Sequence, residues 1–207
     1  YRHPAVVAKM AAQVDIISGG RLLLGMGAGW QANEHEAYGI PFYTLRERLA
    51  RLDEACHVLK SLWTEERSTF SGEYYQLSDA PLDPKPVQTP HPELMIGGRG
   101  EKVTMRIAAQ HADHWNAWGG PAVHRQKRAV LERHCETLGR DPDTIRRSAN
   151  MALHISDDPG AEAELATALS ARMGEQPDIA LDTCLAGSPQ YIIDRIGALA
   201  EAGVDTL

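Results

Sequence analysis

The chain is poor in the residues and runs that would give several function classes away. It has three cysteines in 207 residues, Cys56, Cys135 and Cys184. They are odd in number, far apart and in no CxxC pairing, which speaks against a disulfide framework and a cysteine-based zinc site and makes a reducing cytoplasm the expected setting. No apolar run approaches the roughly 20 residues of a membrane helix. The first ten residues, YRHPAVVAKM, carry no signal-peptide core. Positive charge is in deficit: Lys plus Arg is 21 against 28 for Asp plus Glu, a formal charge of −7, which argues against a nucleic-acid or anionic-membrane surface. HExxH is missing, so no metal site is expected. GxSxG is missing too, and no cysteine sits near a plausible base, so nucleophilic hydrolysis has little support. Lys9, Lys60, Lys85, Lys102 and Lys127 fall on helices or loops, which disfavours a Schiff-base enzyme.

What is present is enough apolar residue, 43% of the chain, to bury a core. It is arranged as alternating strands and helices. Pro4 suits a first helical position. Val7, Met10, Ala11, Val14 and Ile17 follow at helical period, and Ser18-Gly19-Gly20 stops the helix. Residues 21–26 (RLLLGM) read as a strand buried on both faces. A long helix starts at Thr44, with Leu45, Leu49, Leu52, Cys56, Leu59 and Trp63 on one face. Thr44 and Glu47 suggest a capping box, and Arg46, Glu47, Arg51, Glu54 and Lys60 a solvated opposite face. Residues 68–77 predict a hairpin turning at Ser71-Gly72. Prolines at 81, 84, 86, 90 and 92 exclude helix and central strand and predict an extended surface segment. Residues 65–92 are thus an excursion within one domain spanning 1–207.

Alternation then resumes, with strands at 93–96, 113–118 and 147–155 and helices at 101–111, 122–138, 160–173 and from Ser188 to Gly203. The opening helix and the strand-like start at Val204 suggest a fragment of a larger domain, exposing apolar edges and poorly soluble by itself. A complete small α/β domain is the alternative. Such alternation implies a parallel sheet with right-handed crossovers, and its reactive edge is the C-terminal end of the strands.

Two glycine runs sit there. Gly25-Met26-Gly27-Ala28-Gly29-Trp30 lets backbone approach a flat or phosphorylated ligand, or only relieves crowding at a rim. GxGxxG spacing fails, which rejects a Rossmann site. Ile96-Gly97-Gly98-Arg99-Gly100-Glu101 would open a helix whose free N–H groups, with Arg99, form an anion site; a plain tight turn is the alternative. Asn33, Glu34, His35 and Glu36 could do acid–base work, although Glu34 and Glu36 read better as a solvated turn. His111 and His114 flank Asp113 near a strand start and read as structural. His154 reads as a core or rim histidine, and Trp115 as core.

The segment RHPAVVAKMAAQVDIISGGRLLLGMGAGWQANEHEAYGIPF closely resembles the luciferase-like monooxygenase family, particularly its F420-dependent oxidoreductase branch. RLARLDEACHVLKSLW, FSGEYYQL, PKPVQTPHPELMIGGRGE and AAQHADHWN continue the resemblance in order, strongly over about the first 120 residues. It implies a (β/α)₈ TIM barrel, here strands 4 to 8 with their helices. Strands 1 to 3 would carry the non-proline cis peptide behind the isoalloxazine ring and the catalytic histidine of sugar-phosphate-oxidising members. By motif, Gly27, Ala28, Gly29 and Asn33 would line the cofactor after the fourth strand. Ile96, Gly97, Gly98 and Arg99 would meet its ring or phosphate tail after the fifth. Trp30 stands where some deazaflavin enzymes carry an acid, which argues against their sugar-phosphate substrate. The implied reaction is hydride transfer between coenzyme F420 and a small organic substrate. FMN with oxygen is the alternative and a non-catalytic flavin-binding paralogue a second. A homodimeric full-length parent is expected.

Overall fold

The computed structural model describes residues 1–173 and 177–207. The chain divides into two compact units: Tyr1–Ile96 with His111–Asp113, and Gly97–Gln110 with His114–Leu207.

In the first unit, α1 (Pro4–Ser18) opens with Pro4 in its first turn and the His3 side chain accepting from the Ala5 amide at 3.2 Å. It ends at Gly19, φ 65°, with the Gly19 amide donating to Ile16 O at 3.1 Å and the Gly20 amide to Asp15 O at 2.9 Å. Left-handed backbone is cheap for glycine, so these two close the helix. Its buried side is not the long apolar stripe that the helical period suggests. Ala8, Ala11, Ala12 and Asp15 are buried, whereas Met10, Val14 and Ile17 are exposed. The small side chains let α3 (Leu45–Thr64) come close enough for the buried Trp63 indole to donate to Ala8 O at 3.1 Å. The cap of α3 is as expected: Thr44 Oγ1 accepts from the Glu47 amide at 3.3 Å.

Strand β1 (Leu23–Met26) pairs in parallel with β4 (Glu93–Gly97), Leu23 opposite Glu93 and Met26 opposite Ile96. It is not buried on both faces: Leu23 is 39% exposed, because β4 is the only strand paired with it among the described residues. A short helix, α2 (Ala32–Ala37), follows β1; six residues are too few for a periodic signal. β2 (Arg67–Ser71) and β3 (Gln76–Pro81) form the hairpin, Ser71 opposite Gln76. Glu54 of α3 is not on a solvated face. Its carboxylate accepts from the Glu73, Tyr74 and Tyr75 amides at 2.7, 2.9 and 3.0 Å. A Cβ on Gly72 would lie 2.2 Å from Glu54 Oε2, so this clasp requires glycine there.

The proline-rich segment is extended and tied down. Lys85 Nζ donates to the Leu62 carbonyl at 2.7 Å and to that of Glu65, satisfying acceptors at the end of α3. Asp15, 0% exposed, accepts from the Val87 and Gln88 amides at 2.9 and 3.0 Å and from Gln88 Nε2 at 2.6 Å. The same Nε2 donates to Leu22 O at 2.8 Å.

In the second unit, β5 (His114–Trp118) pairs in parallel with β6 (Arg146–Asn150), and β7 (Ala152–Ile155) with β8 (Cys184–Gly187). The strand expected at 147–155 therefore breaks at Met151, since its two halves have different partners. Leu153 and Ile155 are exposed, as is His154, which is not a core histidine. The helix expected from residue 101 begins at Thr104, as α4 (Thr104–His111). Next come α5 (Pro121–Leu138), α6 (Ala161–Met173), α7 (Pro177–Asp182) and α8 (Pro189–Glu201). Gly139, φ 65°, stops α5, and Ser188 Oγ caps α8 by accepting from the Tyr191 amide at 3.3 Å. Thr206 bridges Ser148 in parallel, so the chain end does begin a strand contact. Ala149, Leu185, Ile192, Leu199 and Val204 form one core cluster, with Met151 packed on it. No helix among the described residues is long and apolar enough to cross a membrane.

Burial alone would raise the Asp15 pKa, but hydrogen bonds from Gln88 and Val87 outweigh it and hold the carboxyl below its ordinary value. A depressed folded pKa gives stability that is complete above the ordinary carboxylate range and is lost as pH falls through the depressed value. Asp15→Ala leaves buried amides without an acceptor and is expected to cost about 3 kcal/mol. Urea unfolding at neutral pH checks this, and the variant is also expected to show a flatter acid limb of stability against pH.

Candidate functional site

The first unit contains a cleft of about 380 Å³ at the C-terminal end of β1, within the range of small-molecule sites. Met26, Gly27 and Ala28 form one side. The segment before α1 gives Tyr1 and His3, α2 gives His35, the start of α3 gives Arg48 and Arg51, and the hairpin loop gives Tyr75. Tyr43, Leu52 and Ala55 complete the apolar and aromatic wall. Arg48, Arg51, Leu52 and Ala55 share one stripe of α3 because residues three and four apart face the same way.

Most of the wall is held by rings and cations. His35 is buried, bonds Pro41 O through Nδ1 at 3.1 Å, and stacks on Tyr1 with centroids 4.5 Å apart and against Phe42 at 4.8 Å. The Tyr1 hydroxyl donates to Glu34 at 2.7 Å, and that bond raises the phenol pKa. The Arg48 guanidinium lies 3.9 Å over Phe42 and donates to Tyr43 O at 2.5 Å. Arg51 lies 4.1 Å over Tyr43 and binds Glu47 at 2.9 Å, so it belongs to the cleft wall and not to a solvated face. Arg48 Nε is buried with no hydrogen-bond partner. Three arginines and two histidines line the cleft and no carboxylate does. A buried, unpartnered guanidinium donor beside aromatic faces and bare backbone fits a flat, anionic aromatic group.

Of the residues singled out by sequence, Gly27 and Ala28 line this cleft and Asn33 does not; it is exposed on α2. Gly29 has φ 75°, and a Cβ there would meet only His35 Nε2 at 3.7 Å, so backbone angle and not crowding is what calls for glycine. Trp30 is 62% exposed. Ile96 is fully buried near the end of β4, opposite Met26 of β1.

The second run is engaged within its own unit. Gly98, φ 129°, donates its amide to Asn116 O at 3.0 Å and accepts from the Trp115 indole at 2.8 Å. Its N–H is therefore not a bared donor, and a turn over residues 101–103 separates the run from α4. Arg99 reaches Trp118 O at 3.4 Å. Trp115 is core, as expected.

Sequence reasoning missed Tyr1, Tyr43, Arg48, Arg51 and Tyr75 as wall residues, and it named His35 for acid–base work, not as part of the wall. A usable signal was the aromatic pair Phe42-Tyr43 just before a helix that carries Arg48 and Arg51 at its start. None of the three cysteines competes as a nucleophile: all are buried, and burial pushes the Cys56 thiol up to about 12.

A family model described as luciferase-like monooxygenase matches residues 1–180. The chain is 30% identical to the FMNH(2)-dependent dimethylsulfone monooxygenase of Pseudomonas putida, over 99% of this chain and 64% of that protein. It is 34% identical to the F420-dependent glucose-6-phosphate dehydrogenase of Kineococcus radiotolerans, over 78% of this chain and 48% of that protein. It thus spans 64% and 48% of the length of these two relatives. A solved F420-dependent secondary alcohol dehydrogenase, in complex with an F420-acetone adduct, matches with a TM-score of 0.84 at 22% identity, covering 99% of this chain and 68% of that one. The shared fold is the luciferase-like (β/α)₈ barrel, of which this chain carries a part.

His35→Ala removes the Pro41 bond and two ring contacts. It is expected to destabilise the protein by about 1–3 kcal/mol, read from the urea midpoint; a change under about 0.5 kcal/mol would show the wall does not depend on it.

Proposed function

The chain belongs to the luciferase-like monooxygenase family, and on that premise we propose that it serves an oxidoreductase that transfers hydride between coenzyme F420 and a small organic substrate. Curated relatives of the chain include both F420-dependent dehydrogenases and FMNH(2)-dependent monooxygenases. The observation that carries the reading is the cleft beside Gly27 and Ala28, with its aromatic walls and the buried, unpartnered Arg48 Nε.

A bound deazaflavin supplies the hydride-exchanging carbon; the chain supplies position and surroundings. Gly27 and the small Ala28 let backbone approach a planar ring. Tyr43 and Tyr75 offer flat faces, while Met26, Leu52 and Ala55 keep water from the reacting side. Arg48, whose Nε has no partner, stabilises negative charge, while Arg51 is held in the wall by its pair with Glu47. His35 is held by Pro41 and so supports Tyr1 instead of moving a proton through Nδ1.

The second reading, FMN with molecular oxygen, is favoured by the dimethylsulfone monooxygenase match, which covers 99% of this chain against 78% for the glucose-6-phosphate dehydrogenase. Titration followed by deazaflavin fluorescence separates the two. F420 is expected to bind saturably and more tightly than FMN; saturable FMN binding without F420 binding transfers the assignment to a flavin monooxygenase. Ala28→Trp, which fills the cleft, is expected to weaken binding at least roughly tenfold, about 1.4 kcal/mol. Unchanged affinity would remove the cleft from the cofactor site.

A further inference from the structure

On a different stripe of α3 from the cleft residues, Asp53 and His57 stand four residues apart and so share a face. His111, the last residue of α4, meets them there. All three belong to the first unit. The His111 Nε2–H donates to Asp53 Oδ1 at 2.8 Å, and the His57 and His111 rings are edge to face with centroids 4.4 Å apart. One ligand atom from each residue lies within 4.8 Å of the others. His111 is buried, Asp53 half-buried and His57 exposed.

We propose that Asp53, His57 and His111 form a binding site for a divalent transition metal, with Zn²⁺ the best-matched ion. Two imidazoles and one carboxylate make a borderline nitrogen and oxygen donor set, which suits Zn²⁺, Ni²⁺ or Cu²⁺ and not Ca²⁺ or Mg²⁺. Around tetrahedral Zn²⁺, ligand atoms about 2.0–2.2 Å from the ion stand roughly 3.3–3.6 Å apart. The His111–Asp53 separation of 2.8 Å and the 4.8 Å within which all three ligand atoms fall stand either side of that span, so small rotations of His57 and Asp53 close the set. Binding exchanges the His111–Asp53 hydrogen bond for two coordinate bonds, and the Nε2 proton passes to Nδ1 or to solvent. Lys60, close enough to bear on His111, opposes the cation and limits the affinity. The exposed side at His57 leaves a fourth position for water. This site is independent of the cofactor assignment and departs from the expectation of no metal site. Spacing could not reveal it, because the third ligand is 54 residues beyond His57 in the sequence.

The test is a calorimetric Zn²⁺ titration of the EDTA-treated and dialysed protein, with Co²⁺ absorption as a second reading of coordination. One Zn²⁺ per chain is expected, and His57→Ala and Asp53→Asn are expected to lower the affinity at least roughly tenfold. His154→Ala, an exposed histidine elsewhere, is expected to bind as the parent does. Zn²⁺ is expected to raise the melting temperature of the parent and not that of His57→Ala, which separates metal binding from a structural role of the cluster. Absence of saturable Zn²⁺ binding, retention of parent affinity in both ligand variants, or an equal loss in His154→Ala would each overturn the proposal.

Discussion

The buried carboxylate of Asp15 joins three parts of the first unit that are far apart in sequence. It sits on the last turn of α1, accepts the amides of Val87 and Gln88, and shares the Gln88 side chain with the Leu22 carbonyl. Leu22 precedes β1 and Gln88 precedes β4, so one polar knot sets where two parallel strands begin relative to each other. Their register follows, with Met26 opposite Ile96 at the far ends. A charge excluded from water is tolerable only when its acceptor capacity is filled, and the proline-rich segment fills it with two amides and a side-chain amide. That segment is therefore no idle surface crossing: its missing amides at proline leave the Val87 and Gln88 amides free for this use.

The cleft depends on the same arrangement. Strand β1 delivers Met26, Gly27 and Ala28 to one wall, and α3 delivers Arg48, Arg51, Leu52 and Ala55 from a single helical stripe. Two of these features come from local physics, namely the φ of glycine and the 3.6-residue repeat. The third, a cationic and aromatic wall without carboxylates, comes from tertiary placement. Glu34, Glu47 and Glu54 lie close in sequence to wall residues, yet each carboxylate is turned to another use: the Tyr1 hydroxyl, the Arg51 guanidinium and the hairpin amides. What remains facing the cleft is net positive, which is how a chain of formal charge −7 can present a site for an anion.

The helix α3 shows why amphipathic reading is incomplete. Its polar face contains Arg51, Asp53, Glu54 and His57, and a periodic pattern treats all of them as solvent-facing. In the structure Arg51 walls the cleft, Glu54 clasps the hairpin and Asp53 meets His111. Charged groups on a helix are partitioned by what packs beside the helix, which period does not encode. The same limit applies to α1, where a stripe of larger apolar residues is exposed while alanines face inward.

Much was legible from residues alone. Thr44, Gly19, Gly139 and Ser188 mark helix ends through local backbone and hydrogen-bond chemistry, and each does so here. The alternation of strands with helices and the presence of a hairpin near Ser71-Gly72, which turns at residues 72–75, were readable for the same reason: each rests on near-neighbour spacing. The family was readable only as a resemblance of whole motifs. Tertiary structure decided the rest. It split residues 147–155 between two partner strands, moved the start of α4 to Thr104, and engaged the Gly98 amide with Asn116. It also brought Tyr1, His35 and Arg48 to one wall. Local sequence fixes backbone preferences within a few residues, whereas a strand's partner and a side chain's neighbour are set by segments tens of residues away, competing for the same donors and the same buried space.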